Sequence, residues 1–138
     1  EGFEISRQPL CCAVSILHHL AGKNKLTFQD LYGENLMLMH RNWSRYVDEL
    51  RDDIWKNHPQ IHIVDFDFYS VDIFNRCENS NDILMAVQAW ENVHPLLKVI
   101  PVEWDHSIPY GILHSPSPSA SVRSFLAAVQ TILRNNKV

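Results

Sequence analysis

The chain has 138 residues, of which 46% are hydrophobic and 20% charged, and its formal net charge is −4. These values are typical of one soluble globular domain with a modest core, and the acidic balance argues against a phosphate-binding surface in this segment. No apolar run approaches the roughly 20 residues that span a bilayer, and the acidic start Glu1-Gly2-Phe3-Glu4 is unlike a signal peptide, so we expect a cytoplasmic protein without membrane contact.

The first half of the chain is predicted to form two strands and two helical segments. Leu10–Val14 is a short apolar strand, and Phe28–Leu31 is a single helical turn that Thr27 can cap. A second buried strand follows at Leu36–Met39. Apolar residues at helical spacing then predict an amphipathic helix over Trp43–Asn57, with Asn42 or Ser44 as its N-cap.

The second half predicts four further strands and two helices. The strands are Ile61–Phe66, Ile83–Val87, Leu96–Val102 and Ile108–His114. Ser70 is placed to cap a short helix after the first of them. A Ser-Pro-rich linker at residues 115–119 leads into the last helix, whose apolar stripe consists of Val122, Phe125, Leu126, Val129, Ile132 and Leu133.

This alternation of strands and helices predicts an α/β fold with a mixed, mostly parallel sheet and helices on both of its faces. In open parallel sheets, ligands bind beyond the carboxyl ends of the strands, near helix N-termini. That rule selects three segments as candidate ligand sites: Ser15–His19, His40–Ser44 and Asp67–Ser70.

Several segments resemble the effector-binding domain of LysR-type transcriptional regulators. The order of strand, small-residue turn, Leu-Thr-x-x-Asp-Leu helical turn and strand runs through residues 9–39. His58-Pro59-Gln60-Ile61 is similar to the family's His-Pro-x-Ile, and residues 118–133 are similar to its closing helix. Two motifs depart from the family: His19 replaces the turn proline, and Asn79–Ile83 replaces a Gly-x-Gly-Ile turn.

The resemblance implies a periplasmic-binding-protein-like (type II) lobe. Residues 1–114 would hold the second effector-binding lobe with its hinge strands, and residues 115–138 the linker and helix that return to a first lobe otherwise absent here. It implies a regulator that binds a small, often acidic effector and contacts DNA only through an N-terminal helix-turn-helix domain, also absent from this chain. We further expect a homo-oligomer, in which the last helix packs across a dimer or by exchange of elements.

Strand-end position and the resemblance together select candidate ligand-binding residues: Ser15, His40, Arg41, Asp67, Tyr69 and Ser70. Three of them have structural alternatives, which for Ser15 is plain N-capping. Arg41 can bind an anionic ligand in a bidentate manner, or form a salt bridge with Asp48, Glu49 or another surface acid. Ser70 can contact a ligand or merely cap its helix. Tyr69 is the candidate pocket wall.

The aromatic and sulfur-containing residues are assigned to the interior. Phe66 and Trp43 are predicted to be core residues. The adjacent Cys11 and Cys12 point to opposite faces of one strand, and with Cys77 they are expected to be reduced, buried thiols.

We expect neither a catalytic site, nor a metal site, nor a cofactor. Asp65 and Asp67 share one side of a strand, as an acid/base pair would, but a solvated or helix-capping role is commoner for such residues. No Gly-x-Ser-x-Gly elbow and no Cys-x-x-Cys motif is present, and the adjacent His18 and His19 are not expected to converge on one ion. The alternative function is that of a solute-binding module of a transport system, which shares the two-lobed architecture.

Overall fold

The computed structural model describes residues 1–137, and the chain forms two compact units. One unit consists of residues 8–108, and the other of residues 1–7 together with the chain from Pro109 onwards. Two strands, β1 (Gly2–Ser15) and β6 (Ser107–Leu113), pass from one unit into the other. None of the helices in residues 1–137 has the length and the apolar character needed to span a membrane.

The larger unit is built on a mixed sheet. After β1 the chain forms β2 (Asn35–Met39), α1 (Arg45–Asn57), β3 (His62–Phe66), α2 (Val71–Glu78), β4 (Ile83–Val87) and β5 (Leu97–Pro101). The strand order is β3-β2-β4-β1-β5, with β2 parallel to β3 and β4, and β1 antiparallel to β4 and β5. The predicted α/β fold with a mixed sheet is confirmed.

The direction of β1 decides which loops share an edge of the sheet. Leu10 pairs with Val87 and Ala13 with Leu84, so β1 runs against β4. The carboxyl end of β1 therefore lies beside the beginning of β4. We use the word edge for a row of strand ends, and the end of β1 lies at the edge opposite to the one where β2, β3 and β4 end.

Both faces of this sheet are covered by helices. One hydrophobic core contains Cys12 of β1 together with Leu50 and Ile54 of α1. A second core contains Cys11 of β1 together with Cys77 of α2. The two adjacent cysteines thus lie on opposite faces, and all three thiols are free and buried, as predicted.

Polar side chains fix the beginnings of the helices. The hydroxyl of Ser44 accepts a hydrogen bond from the Val47 amide at 3.5 Å, so Ser44 and not Asn42 caps α1. Trp43 consequently lies in the loop before the helix and is 57% exposed, so its assignment to the core was wrong. Phe66, in contrast, is buried as predicted.

The smaller unit contains the outer part of the β1–β6 pair and α3 (Ala120–Asn135), which Ser119 caps. The β1 strand begins at Gly2 and not at the predicted Leu10. Its first half has exposed and half-buried residues and no apolar run, so it lacks the pattern from which the strand was predicted. No residue of α3 is buried in the described chain, and Phe125 and Ile132 of its apolar stripe are exposed. The packing of that stripe across a dimer, or by exchange of elements, stays a prediction.

Candidate functional site

Two of the predicted ligand segments meet where β2 and β3 end. His40 directly follows β2, and its amide donates to the Phe66 carbonyl at the end of β3 at 3.0 Å. Asp67 is the next residue after β3, so the loops that leave these parallel strands begin side by side. This is the sheet edge at which ligands bind in open α/β folds.

His40 has both ring nitrogens engaged. Its Nδ1 lies 3.0 Å from the Arg41 carbonyl, and its Nε2 accepts a hydrogen bond from the indole N–H of Trp43. The neutral ring therefore carries its proton on Nδ1. Asp67 lies 3.6 Å from Nε2, which is beyond hydrogen-bonding distance, and its carboxylate is largely exposed.

Arg41 is held by an acid of helix α1. Its guanidinium donates to Asp52 at 2.6 Å, and this hydrogen bond raises the pKa of Arg41. The salt-bridge alternative is the one that this structure contains. Both side chains are at least half exposed, and ion pairs of that kind contribute little to stability.

A buried arginine that sequence reasoning missed organises the same edge. Arg51 of α1 donates to the Met39 carbonyl at 2.7 Å and pairs with Asp65 at 2.7 Å, while its Nε has no hydrogen-bond partner among the described residues. Arg51 therefore binds both β2 and β3 close to their carboxyl ends. Its position directly after Leu50 on the apolar face of α1 was the available signal, since an arginine there must reach a polar partner.

Tyr69 and Ser70 follow β3 and have structural partners of their own. The Tyr69 hydroxyl donates to the Met85 carbonyl at 2.7 Å, its ring packs edge-on against Phe66 and Trp90, and burial raises its pKa. The Ser70 hydroxyl accepts from the Ile73 amide at 3.4 Å and caps α2. Its own proton remains a donor.

Ser15 is not brought together with the other candidates. It is buried at the end of β1, where its hydroxyl accepts from the Leu17 amide at 3.2 Å. Because β1 is antiparallel to β4, this end lies at the opposite edge of the sheet. Ser15 there lines a cavity of about 370 Å³ together with His18 and Asn81.

Exposed aromatic side chains complete the edge at which β2 and β3 end. Trp43 follows His40 in the first loop, and Phe68 follows Asp67 in the second. Both are exposed, although large apolar side chains in such loops are costly to leave in water.

A cluster of His18, His19 and Glu34 lies at the opposite edge. The rings of His18 and His19 stack with centroids 4.4 Å apart, and both approach Glu34, with Nε2–carboxylate distances of 3.5 Å and 2.9 Å. The three side chains present ligand atoms that all lie within 4.8 Å of one another. Both rings thus face the carboxylate of Glu34, the residue immediately before β2, and the expectation that the two histidines do not converge on one ion stays a prediction.

Comparison with known proteins gives matches to solved structures only. No family model matches the sequence, and no curated relative matches it. The effector-binding domain of QuiR in complex with shikimate matches with a TM-score of 0.75 and 15% identity, covering 100% of this chain and 67% of that one. CbnR, a LysR family transcriptional regulator, matches with a TM-score of 0.70 and 15% identity, covering 98% of this chain and 47% of that one.

A third solved structure is also similar in fold. Holo ArgBP from T. maritima matches with a TM-score of 0.57 and 17% identity, covering 98% of this chain and 55% of that one. All three sequence identities are low, so these structural matches establish the fold and nothing more. The chain therefore has the fold of the effector-binding domains of LysR-type regulators, which is a periplasmic-binding-protein-like fold.

Proposed function

We propose that this chain is the ligand-sensing part of a LysR-type transcriptional regulator, and that it binds a small effector at the edge where β2 and β3 end. The observation that carries the proposal is a fold match over the whole chain to effector-binding domains, one of which was solved with shikimate bound. Fold alone does not define function, which depends on the chemistry and geometry of the residues at the site.

The proposed effector contacts are His40, Arg41, Asp67 and Ser70. They lie on two loops that begin side by side. The buried Arg51 fixes the ends of β2 and β3, and the hydroxyl of Tyr69 ties the second loop to the middle of β4. Such a fixed base keeps the contact groups in place before the ligand arrives, which lowers the entropic cost of binding. Trp43 and Phe68 provide exposed apolar surface beside these groups. Ser15 is left out of the proposed site because of its position at the other edge.

We propose a small acid as the effector class. Among residues 1–137, Arg41 pairs with Asp52 in an exposed ion pair, so exchanging that partner for a ligand carboxylate costs little. The N-terminus of α2 lies in the same edge, where backbone amides favour negative charge. The nearby Asp67 would then accept hydrogen bonds from hydroxyl groups of the effector.

Isothermal titration calorimetry with a panel of small carboxylic acids, shikimate included, tests this assignment. Arg41→Ala and Ser70→Asn are the informative variants, because asparagine keeps the helix cap while removing the small hydroxyl. Arg45→Ala is the matched control, since Arg45 is an exposed arginine on α1 that contacts Tyr46. We expect at least tenfold weaker binding in Arg41→Ala and unchanged binding in Arg45→Ala. Equal binding by Arg41→Ala, Ser70→Asn and the unchanged protein would overturn the assignment.

The same proposal extends to the whole regulator. The regulator would act in the cytoplasm as a homo-oligomer without catalysing a reaction, and it would reach DNA through a helix-turn-helix domain outside this chain. Residues 1–114 would form the second lobe with its hinge strands, and residues 115–138 would return to the first lobe. Effector binding would bias the closure of the lobes and so the presentation of the DNA-binding heads.

A second candidate is a solute-binding module, which the similarity to ArgBP supports. The two functions differ in where the natural protein resides, because solute-binding proteins of transporters are exported. Fractionation of the source cells with an antibody against this domain separates them. Recovery with the chromosomal DNA supports the regulator, and recovery outside the cytoplasmic membrane supports the solute-binding protein.

A further inference from the structure

We propose that His18, His19 and Glu34 form a site for a divalent transition-metal ion such as Zn²⁺, at the sheet edge opposite to the proposed effector site. Two imidazoles and one carboxylate are a ligand set that zinc uses in proteins. The proposal does not depend on the function proposed above, since it concerns other residues at the other end of the strands.

The three ligand groups lie near one another, at spacings somewhat wider than a bound metal ion requires. In a tetrahedral zinc site with bonds of about 2.05 Å, neighbouring ligand atoms lie about 3.3 Å apart. Here Nε2 of His18 is 3.5 Å and Nε2 of His19 is 2.9 Å from the nearest Glu34 oxygens. These are two different oxygens of one carboxylate, and the ligand atoms, one from each residue, lie within 4.8 Å of one another. Side-chain rotations that move the ligand atoms by about 1 Å would bring all three groups within bonding distance of one ion. The fourth position would be open to water or to another small ligand.

Backbone hydrogen bonds hold two of the three ligands, His18 and Glu34, in place. The His18 amide donates to the Ser15 carbonyl at 2.9 Å, which closes the turn after β1. Glu34 donates through its amide to the Leu31 carbonyl at 3.0 Å and accepts at its carbonyl from the His62 amide at 3.0 Å. The side chain of His18 is 0% exposed and that of Glu34 15% exposed, whereas that of His19 is 65% exposed. His19 thus forms the solvent side of the site, from which an ion would enter.

His18 must change its tautomer to bind the ion. Its Nδ1 accepts the Leu20 amide at 3.0 Å, so the neutral ring carries its proton on Nε2, which faces the Asn81 carbonyl at 3.1 Å. A metal ion on Nε2 would move the proton to Nδ1 and break both hydrogen bonds. This cost predicts a modest affinity, set mainly by His19 and Glu34, with His18 as the third ligand. It also provides a signature that a purely structural role of His18 would not produce.

The first test is calorimetric titration of the protein with Zn²⁺. We expect one ion per chain, with affinity at least tenfold weaker in His19→Ala and in Glu34→Gln. The matched control is His106→Asn, which removes another histidine–carboxylate pair, His106 with Asp53 at 2.7 Å. It should leave the affinity unchanged. Far-ultraviolet circular dichroism of each variant confirms that it is folded.

Long-range ¹H–¹⁵N spectra of the histidine rings provide the second test. Without metal, His18 should show its proton on Nε2, and with Zn²⁺ it should show the proton on Nδ1 and a shifted Nε2 resonance. Zinc affinity that is equal in His19→Ala, Glu34→Gln and the unchanged protein would overturn the site. A His18 ring that keeps its Nε2 proton at zinc saturation would overturn its role as a ligand.

Discussion

Replacement of Gly111 by alanine should destabilise the smaller unit. A Cβ atom at this position would lie 2.0 Å from the Phe3 carbonyl oxygen and 3.0 Å from the Glu4 Cα on the neighbouring strand. Real Cβ atoms essentially never approach other atoms more closely than 3.0 Å, so the two strands would have to separate by about 1 Å at this point.

The magnitude follows from the hydrogen bonds at the end of the same strand pair, three residues further along each strand. The Glu1 amino group donates to the His114 carbonyl, and the His114 amide donates to the Glu1 carbonyl, both at 3.0 Å. A separation of about 1 Å would take these bonds beyond 3.5 Å, where they are lost. Two bonds at about 1 kcal/mol each, with about 1–2 kcal/mol of overpacking strain, give a cost of about 3–4 kcal/mol.

Hydrogen exchange at the His114 amide measures this cost within the smaller unit, even where the two units unfold separately. Gly22→Ala is the control, because a Cβ at Gly22 would meet no atom within 4 Å. We expect exchange at His114 to accelerate by at least a hundredfold in Gly111→Ala and to stay within twofold in Gly22→Ala. Equal protection of His114 in both variants would refute the close approach of the two strands.

Three further predictions concern the larger unit. Arg51→Met should lower the free energy of unfolding in urea by about 1–3 kcal/mol, because the Met39 carbonyl loses its donor. The control Arg45→Met, at an exposed position, should change it by no more than about 0.5 kcal/mol. Equal effects of the two substitutions would contradict the role of Arg51. Ser70→Ala should cost about 1 kcal/mol and Ser70→Asn almost nothing, and equal losses would show that the cap is unimportant. Hydrogen bonds from Lys23 and Thr27 lower the pKa of Asp30 below that of an unfolded aspartate, about 3.9. The stability that Asp30 contributes is therefore fully present at neutral pH and is lost as the pH falls through its folded pKa. The Asp30→Asn variant should be less stable than the unchanged protein near pH 7, and this difference should shrink below about pH 4. A difference independent of pH would contradict the assignment.

Elements with a local signal could be predicted from the sequence. The strand Ile83–Val87 has the predicted bounds, because five consecutive apolar residues are buried on both faces. The α2 helix begins where Ser70 can cap it, with Asp72 in its first turn. The first half of β1 was missed, because residues 2–9 alternate in exposure and include charged side chains, as one would expect of a strand with one solvated face.

Features set by distant partners could not be predicted. The direction of β1 depends on its register with β4, about 70 residues away in the chain, and no local pattern records it. The same holds for the convergence of His18 and His19 on Glu34, which requires the turn after β1 to fold against the start of β2. Spacing arguments for metal ligands compare residues close in sequence, so a third ligand on another strand escapes them.

The antiparallel direction of β1 also bears on whether the two proposed sites influence each other. Glu34 precedes β2 and His40 follows it, so the six steps between them span about 20 Å at about 3.3 Å per residue. The strand between them is paired on both sides, with β3 and β4, and Leu36, Met37 and Leu38 are completely buried. A close-packed strand of this kind has one register and no second arrangement for a ligand to select, and coupling between sites requires such a two-state element. Metal binding at Glu34 should therefore stiffen the turn after β1 without changing the affinity for an effector at His40 and Arg41.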